Sequence, residues 1–133
     1  MTDVKQILAQ LDAPFLKFDS SSLNEPIVWK GDHVTLGVQK SFDIKVPAMA
    51  GSTIKYSFSS EIGDVEYATE FLAPGHAPET IVSLMRVPSD VETIHGSYKA
   101  IREGTFLITF DNNISWFNPK MLTYKISLFQ VLL

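Results

Sequence analysis

The sequence contains no cysteine. That removes disulfides, thiolate metal ligands and cysteine nucleophiles together, and it suits a reducing compartment. Histidine is scarce, and His33, His76 and His95 are scattered. None shows the HxH or HxxxH spacing that brings two imidazoles onto one metal ion. There is no GxSxG elbow for a nucleophilic serine and no glycine-rich phosphate loop. No window approaches the roughly 20 consecutive apolar residues of a membrane-spanning helix. The N-terminus lacks the basic-then-apolar order of a secretory signal. Positive charge is in deficit: 11 Lys and Arg against 15 Asp and Glu give a formal net charge of -4. A nucleic-acid partner would call for the reverse balance. These absences favour a cytoplasmic, non-catalytic protein that uses neither metal nor cofactor.

At 133 residues, 45% hydrophobic and 20% charged, the chain has the size and composition of one globular domain. A chain of this size buries roughly 70% of the surface it exposes when unfolded, enough for an unaided core. Val4, Ile7, Leu8 and Leu11 fall at helical spacing, with Thr2 or Asp3 as cap and Pro14 as stop. Lys17 to Pro26 is polar, serine-rich and closed by proline, which reads as a linker. The expected organisation is a short amphipathic helix and linker over 1–26, followed by the main domain over 27–133.

From Ile27 onward the period of hydrophobicity is two. Phe42, Ile44 and Val46 alternate with polar residues, as do Ile54, Tyr56 and Phe58, and then Val65, Tyr67, Thr69 and Phe71. Phe106, Ile108 and Phe110 repeat the pattern, followed by Leu122, Tyr124, Ile126 and Leu128. The run Thr80 to Val87 is apolar on both faces and reads as a central or poorly phased strand. Pro88 to Ser97 reads as irregular. Strands of six to ten residues between regular turn signals predict an all-β fold, an antiparallel two-sheet β-sandwich of jelly-roll-like type. With no second helix of useful length, alternating βαβ folds are excluded.

Acid–base chemistry would need partners. His95 with Asp111 is the pair to test. Glu66 and Glu70 sit on an alternating wet face, the usual place for solvated charge. The segment GTFLITFDNNISWFNPKMLTYKISLF (104–129) holds the most unusual residues. Asparagine at 112 or 113 tolerates the left-handed backbone region that most residues avoid. Asp111, Asn112, Asn113 and Ser115 can bond the backbone groups freed where strand pairing stops, which makes them a structural corner. Trp116 and Phe117 are adjacent and cannot both point inward from a strand, so at least one is expected at the surface as a partner-binding anchor. Lys120 is expected beside them. With Lys99, Arg102 and Lys125 it is also a candidate basic patch for acidic partners or anionic lipid heads.

That same segment resembles a known family. Gly104-x-Phe106-x-Ile108-x-Phe110-Asp111-Asn112, then Ser115-Trp116, then Lys120-x-Leu122-x-Tyr124-x-Ile126, is similar to the C-terminal signature of the GOLD (Golgi dynamics) domain. Ala50 to Phe58, Gly63 to Tyr67 and His95 to Tyr98 resemble earlier pieces of the family, so the likeness runs from Val34 to Phe129. Tyr56 stands where the family often has tryptophan, and the doubled Asn112-Asn113 is not its commonest corner. The resemblance implies a β-sandwich that acts as a protein-interaction adaptor in membrane traffic. It points to the cytosolic type found with lipid-transfer-type proteins and Golgi adaptors. Implied with it are a protein partner, peripheral contact with Golgi or other secretory-pathway membranes, and no transmembrane segment. The alternative is a β-sandwich that binds a small ligand or lipid head group at one open end. Trp116 and Phe117 would then stack on the ligand and Lys120 would pair with its charge.

Overall fold

The computed structural model describes residues 25–130. The helix and most of the linker expected over 1–26 lie outside the described residues. Eight strands follow one another: β1 (Ile27–Leu36), β2 (Ser41–Ala48), β3 (Thr53–Glu61), β4 (Val65–Leu72), β5 (Glu79–Val87), β6 (Ile94–Lys99), β7 (Gly104–Asp111) and β8 (Lys120–Phe129). They form two four-stranded sheets, in the orders β1-β8-β3-β6 and β2-β7-β4-β5. Every neighbouring pair is antiparallel. First pairs with last, second with seventh, third with sixth and fourth with fifth. This nested pairing is the jelly roll, two interlocked Greek keys closed into a two-layer sandwich.

The alternating residues behave as their period requires. Ile54, Phe58, Leu122, Ile126 and Leu128 from the first sheet meet Val46, Val65, Phe106, Ile108 and Phe110 from the second, all essentially inaccessible to solvent. Aromatic rings lock the layers together. Phe58 meets Tyr67 and Phe110 edge-on, each with centroids 4.9 Å apart. Such pairs contribute about 0.5–1.5 kcal/mol beyond the area they bury. The hydroxyls of Tyr56 and Tyr67 satisfy each other at 3.1 Å across the two sheets. Burial, and secondarily that hydrogen bond, raise the Tyr56 pKa. Gly96 lies opposite Tyr56 on the neighbouring strand. A Cβ there would collide with the end of the Tyr56 ring, so only glycine lets the ring lean across β6.

One local expectation is corrected and another is decided. Of the two readings of the apolar run Thr80 to Val87, the poorly phased strand is the one observed: the run lies in β5, an edge strand. Two register shifts against β4 break its alternation, and Leu84 and Met85 are both exposed. The stretch read as irregular contains a true strand, β6, whose six residues alternate between half-buried and exposed. His95 therefore lies on a strand. β1 carries a bulge between Gly31 and Val34, where His33 takes a left-handed conformation (φ 53°).

Candidate binding site

The nested strand order places the β1–β2, β3–β4, β5–β6 and β7–β8 loops at one end of the sandwich. The β7–β8 loop is built on Asn112, which is fully buried. Its Nδ2 donates to the carbonyls of Asn118 at 3.0 Å, Gly37 at 3.2 Å and Leu36 at 3.3 Å. Its backbone N–H donates to the Lys40 carbonyl at 2.9 Å. One side chain thus ties the loop's two ends to each other and to the β1–β2 turn. Its Oδ1 has no hydrogen-bond partner among the described residues. Asp111 accepts from the backbone and side-chain nitrogens of Asn113 at 2.6 and 3.0 Å. The Ser115 hydroxyl donates to the Asn118 carbonyl and accepts from the Asn118 N–H, both at 3.0 Å. Asp111, Asn112, Asn113 and Ser115, named together from the sequence, are brought together in this one loop.

Gln39, unsuspected from sequence, completes the corner. Its amide donates to the carbonyls of Asn113 at 2.9 Å and Ser115 at 2.8 Å. Gln39 itself sits in the left-handed region (φ 60°). On this scaffold Trp116 is 74% exposed and Phe117 89% exposed. The expectation that at least one ring would lie at the surface is exceeded, because the pair falls in the loop and is free of the alternation of a strand.

Lys120 departs from its expected place. It is buried beneath the loop end, and its ammonium donates to the Ile62 carbonyl at 3.0 Å. It points inward because it opposes Leu36 across the β1–β8 ladder, on the core face of that row. It braces the β3–β4 turn and is withdrawn from any ligand that Trp116 and Phe117 would meet. The expected basic patch also dissolves. Lys99 and Lys125 lie on the outer face of the first sheet, whereas Arg102 belongs to the β6–β7 loop at the opposite end.

Two further apolar side chains share the aromatic end. Ile62 in the β3–β4 turn is 57% exposed, and Val91 in the β5–β6 loop is 82% exposed. Ile62 holds φ at 69°, a region in which a β-branched residue is a genuine outlier. The sequence did carry a signal: isoleucine occupies Glu61-Ile62-Gly63-Asp64, a turn that asparagine or glycine would serve without strain. Nearby, Arg86 binds Asp64 through two hydrogen bonds at 2.5 and 3.0 Å. The guanidinium holds the Asp64 carboxyl below its ordinary range. The Ser89 hydroxyl meets that of Ser60 at 2.7 Å and accepts from the Val65 N–H at 3.1 Å, fastening the β5–β6 loop.

The acid–base pair does not assemble. His95 faces outward from the first sheet, whereas Asp111 ends β7 in the second and is occupied by Asn113. Among the described residues no group of three His, Asp or Glu side chains is placed to hold a metal ion. No helix among them is long and apolar enough to cross a membrane.

Fold and site together define a jelly-roll β-sandwich that presents an aromatic loop from one braced end. No protein-family model matches the chain, and no curated protein matches it. Solved structures share the fold. The mitogen of Yersinia pseudotuberculosis superposes with a TM-score of 0.51 at 12% identity, over 81% of this chain and 87% of that one. PliG, a periplasmic inhibitor of g-type lysozyme from Aeromonas hydrophila, gives 0.48 at 18% identity, over 84% and 90%. A carbohydrate-binding module solved with β-1,4-galactotriose gives 0.48 at 12%, over 85% and 79%. At 12% identity the likeness to the mitogen is one of fold alone.

Proposed function

We propose that this protein is a non-catalytic binding domain of GOLD-like type. It docks a protein partner through the end of the sandwich that carries Trp116 and Phe117, and it serves as an adaptor at the cytoplasmic face of secretory-pathway membranes. The observation that carries the docking surface is the pairing of exposure with rigidity. Two large aromatic side chains stand in solvent on a loop that Asn112, Gln39 and Ser115 hold fixed. Aromatic side chains with few rotatable bonds, presented by an ordered backbone, lose little entropy on docking and dominate interface energetics. Ile62 supports the same surface. An exposed, β-branched residue in a left-handed turn costs roughly 1–3 kcal/mol, a cost that folding alone does not explain. Support for the non-catalytic part comes from the separation of His95 and Asp111 onto opposite outer faces. The membrane-traffic setting follows from the sequence resemblance of the 104–129 segment.

Affinity capture with the intact protein, run beside Trp116→Ala/Phe117→Ala and a control Val28→Ala variant, tests the reading. A partner held by the wild type and the control should weaken by about thirtyfold or more in the double variant, the scale of a lost hot spot of about 2 kcal/mol. The double variant should unfold within about 0.5 kcal/mol of wild type, because neither ring packs on the core. Equal capture by all three proteins would remove the site from this end.

A further inference from the structure

A second recognition surface lies on the outer face of the first sheet, away from the aromatic loop. A groove of about 570 Å³ crosses β1, β8 and β3 there. Lys30 and Lys125 line it from directly opposite positions of the β1–β8 ladder. Like charges placed so destabilise a sheet. Neither ammonium has a carboxylate partner among the described residues, where the ion pairs involve only His33 and Arg86. Nearby Lys55 is engaged, its ammonium 5.5 Å from the Phe129 ring centroid. The groove is further lined by Ser57, Ser59 and Thr123, whose outward positions bring their hydroxyls to its floor. The β1 bulge adds Asp32 at its edge, held by the Thr123 hydroxyl at 3.4 Å and the His33 ring at 2.9 Å. Bulges recur where a strand must re-aim a side chain beside a site.

From this geometry we infer that the groove binds a phosphorylated polyol. The two unpaired ammoniums take the phosphate oxygens, which turns a repulsive pair into two charge-assisted contacts. Ser57 and Ser59 donate to and accept from the polyol hydroxyls, and Asp32, oriented by the Thr123 hydroxyl, accepts from one of them. The volume suits a ligand of about one ring, within the usual 300–1,000 Å³ of small-molecule sites. Asp32 at the edge disfavours a polyanion running past the lysines. The inference stands independently of the aromatic loop.

The test is an amide-resolved NMR titration of the intact protein with myo-inositol monophosphate, with inorganic phosphate and myo-inositol titrated separately. Saturable shifts are expected at Lys30, Ser57, Ser59, Thr123 and Lys125, with the ester binding more tightly than either part. Each of K30Q and K125Q should weaken binding about tenfold or more, the scale of one lost charge-assisted contact, whereas K45Q on the other sheet should not. Both groove substitutions remove a like-charge contact, so the melting temperature should hold or rise and lost binding will mean a lost site. Flotation with phosphatidylcholine vesicles, with and without phosphatidylinositol, separates the sources. Lysine-dependent retention on the inositol lipid identifies a membrane headgroup, and ester binding without retention identifies a soluble ester. Absent or unsaturable shifts, phosphate binding as tightly as the ester, or full binding by the K30Q/K125Q double variant would each overturn the inference.

Discussion

Replacing Asn112 by alanine should destabilise the domain by about 2–4 kcal/mol, and the geometry fixes that scale. Nδ2 carries two hydrogens and faces three carbonyls, at 3.0, 3.2 and 3.3 Å, so it makes the equivalent of two good bonds. Two net hydrogen bonds are worth about 2 kcal/mol. Gly37 O keeps its bond from the Lys40 N–H and Asn118 O its bond from the Ser115 hydroxyl, while all three carbonyls lose the Asn112 amide. Removing the amide from a fully buried position also leaves a cavity of amide size, worth roughly 1 kcal/mol more. Because Oδ1 is unpartnered, all of the polar contribution comes from the nitrogen. Asn112→Asp is the sharper test. It turns an oxygen toward three carbonyl oxygens and should cost more than alanine at pH 7, with part of the loss recovered once the carboxyl is protonated. Urea unfolding reads both. At a slope of roughly 2 kcal/mol per molar, the alanine midpoint should fall by about 1–2 M. A loss below about 1 kcal/mol for alanine, or an aspartate variant no worse than alanine at pH 7, would refute the account of the corner.

Other outcomes follow from the same structure. Gly96→Ala should destabilise by about 1–3 kcal/mol, the usual cost of overpacking, because Tyr56 must give way; pairing it with Tyr56→Phe in a double-mutant unfolding cycle should show strong coupling. Lys120→Met should lower stability by about 1–2 kcal/mol through the lost bond to Ile62 and leave partner capture through Trp116 and Phe117 nearly intact; a loss of capture without a loss of stability would return Lys120 to the contact surface. Burial, and then the Glu79 hydrogen bond, push the Tyr98 phenol up to about 12, and Tyr56 is raised as well. Unfolded tyrosines ionise near pH 10, so the folded chain holds these protons more tightly. That contribution to stability is complete below about pH 10 and is lost as pH rises toward and beyond 12. Tyr98→Phe should flatten the alkaline limb of a stability-against-pH curve, and an unchanged limb would show that the Tyr98 phenol does not contribute to it.

The sequence by itself determined which residues face inward. A period of two leaves each strand one way to bury its apolar side, so the cores of β2, β3, β4, β7 and β8 were legible residue by residue. The residue types of the DNN turn also announced a corner, because asparagine and aspartate bond their own local backbone. What only tertiary structure decided is who neighbours whom. Alternation is blind to strand order, so β5, apolar on both faces, gave no sign that it lies at an edge. Asn112 reaches carbonyls 75 and 76 positions away, and no local pattern encodes such a partner. Lys120 looks in sequence like any lysine at a strand start. It is buried because β3 brings the Ile62 carbonyl, 58 residues distant, to its ammonium. Lys30 and Lys125 stand nearly a hundred residues apart along the chain; Lys125 pointed in sequence to a different basic patch and Lys30 to none, until β1–β8 pairing set the two face to face. The faces of strands are local and repeat with the backbone. The sites are made by pairing across the chain, which depends on how the whole set of strands closes at once.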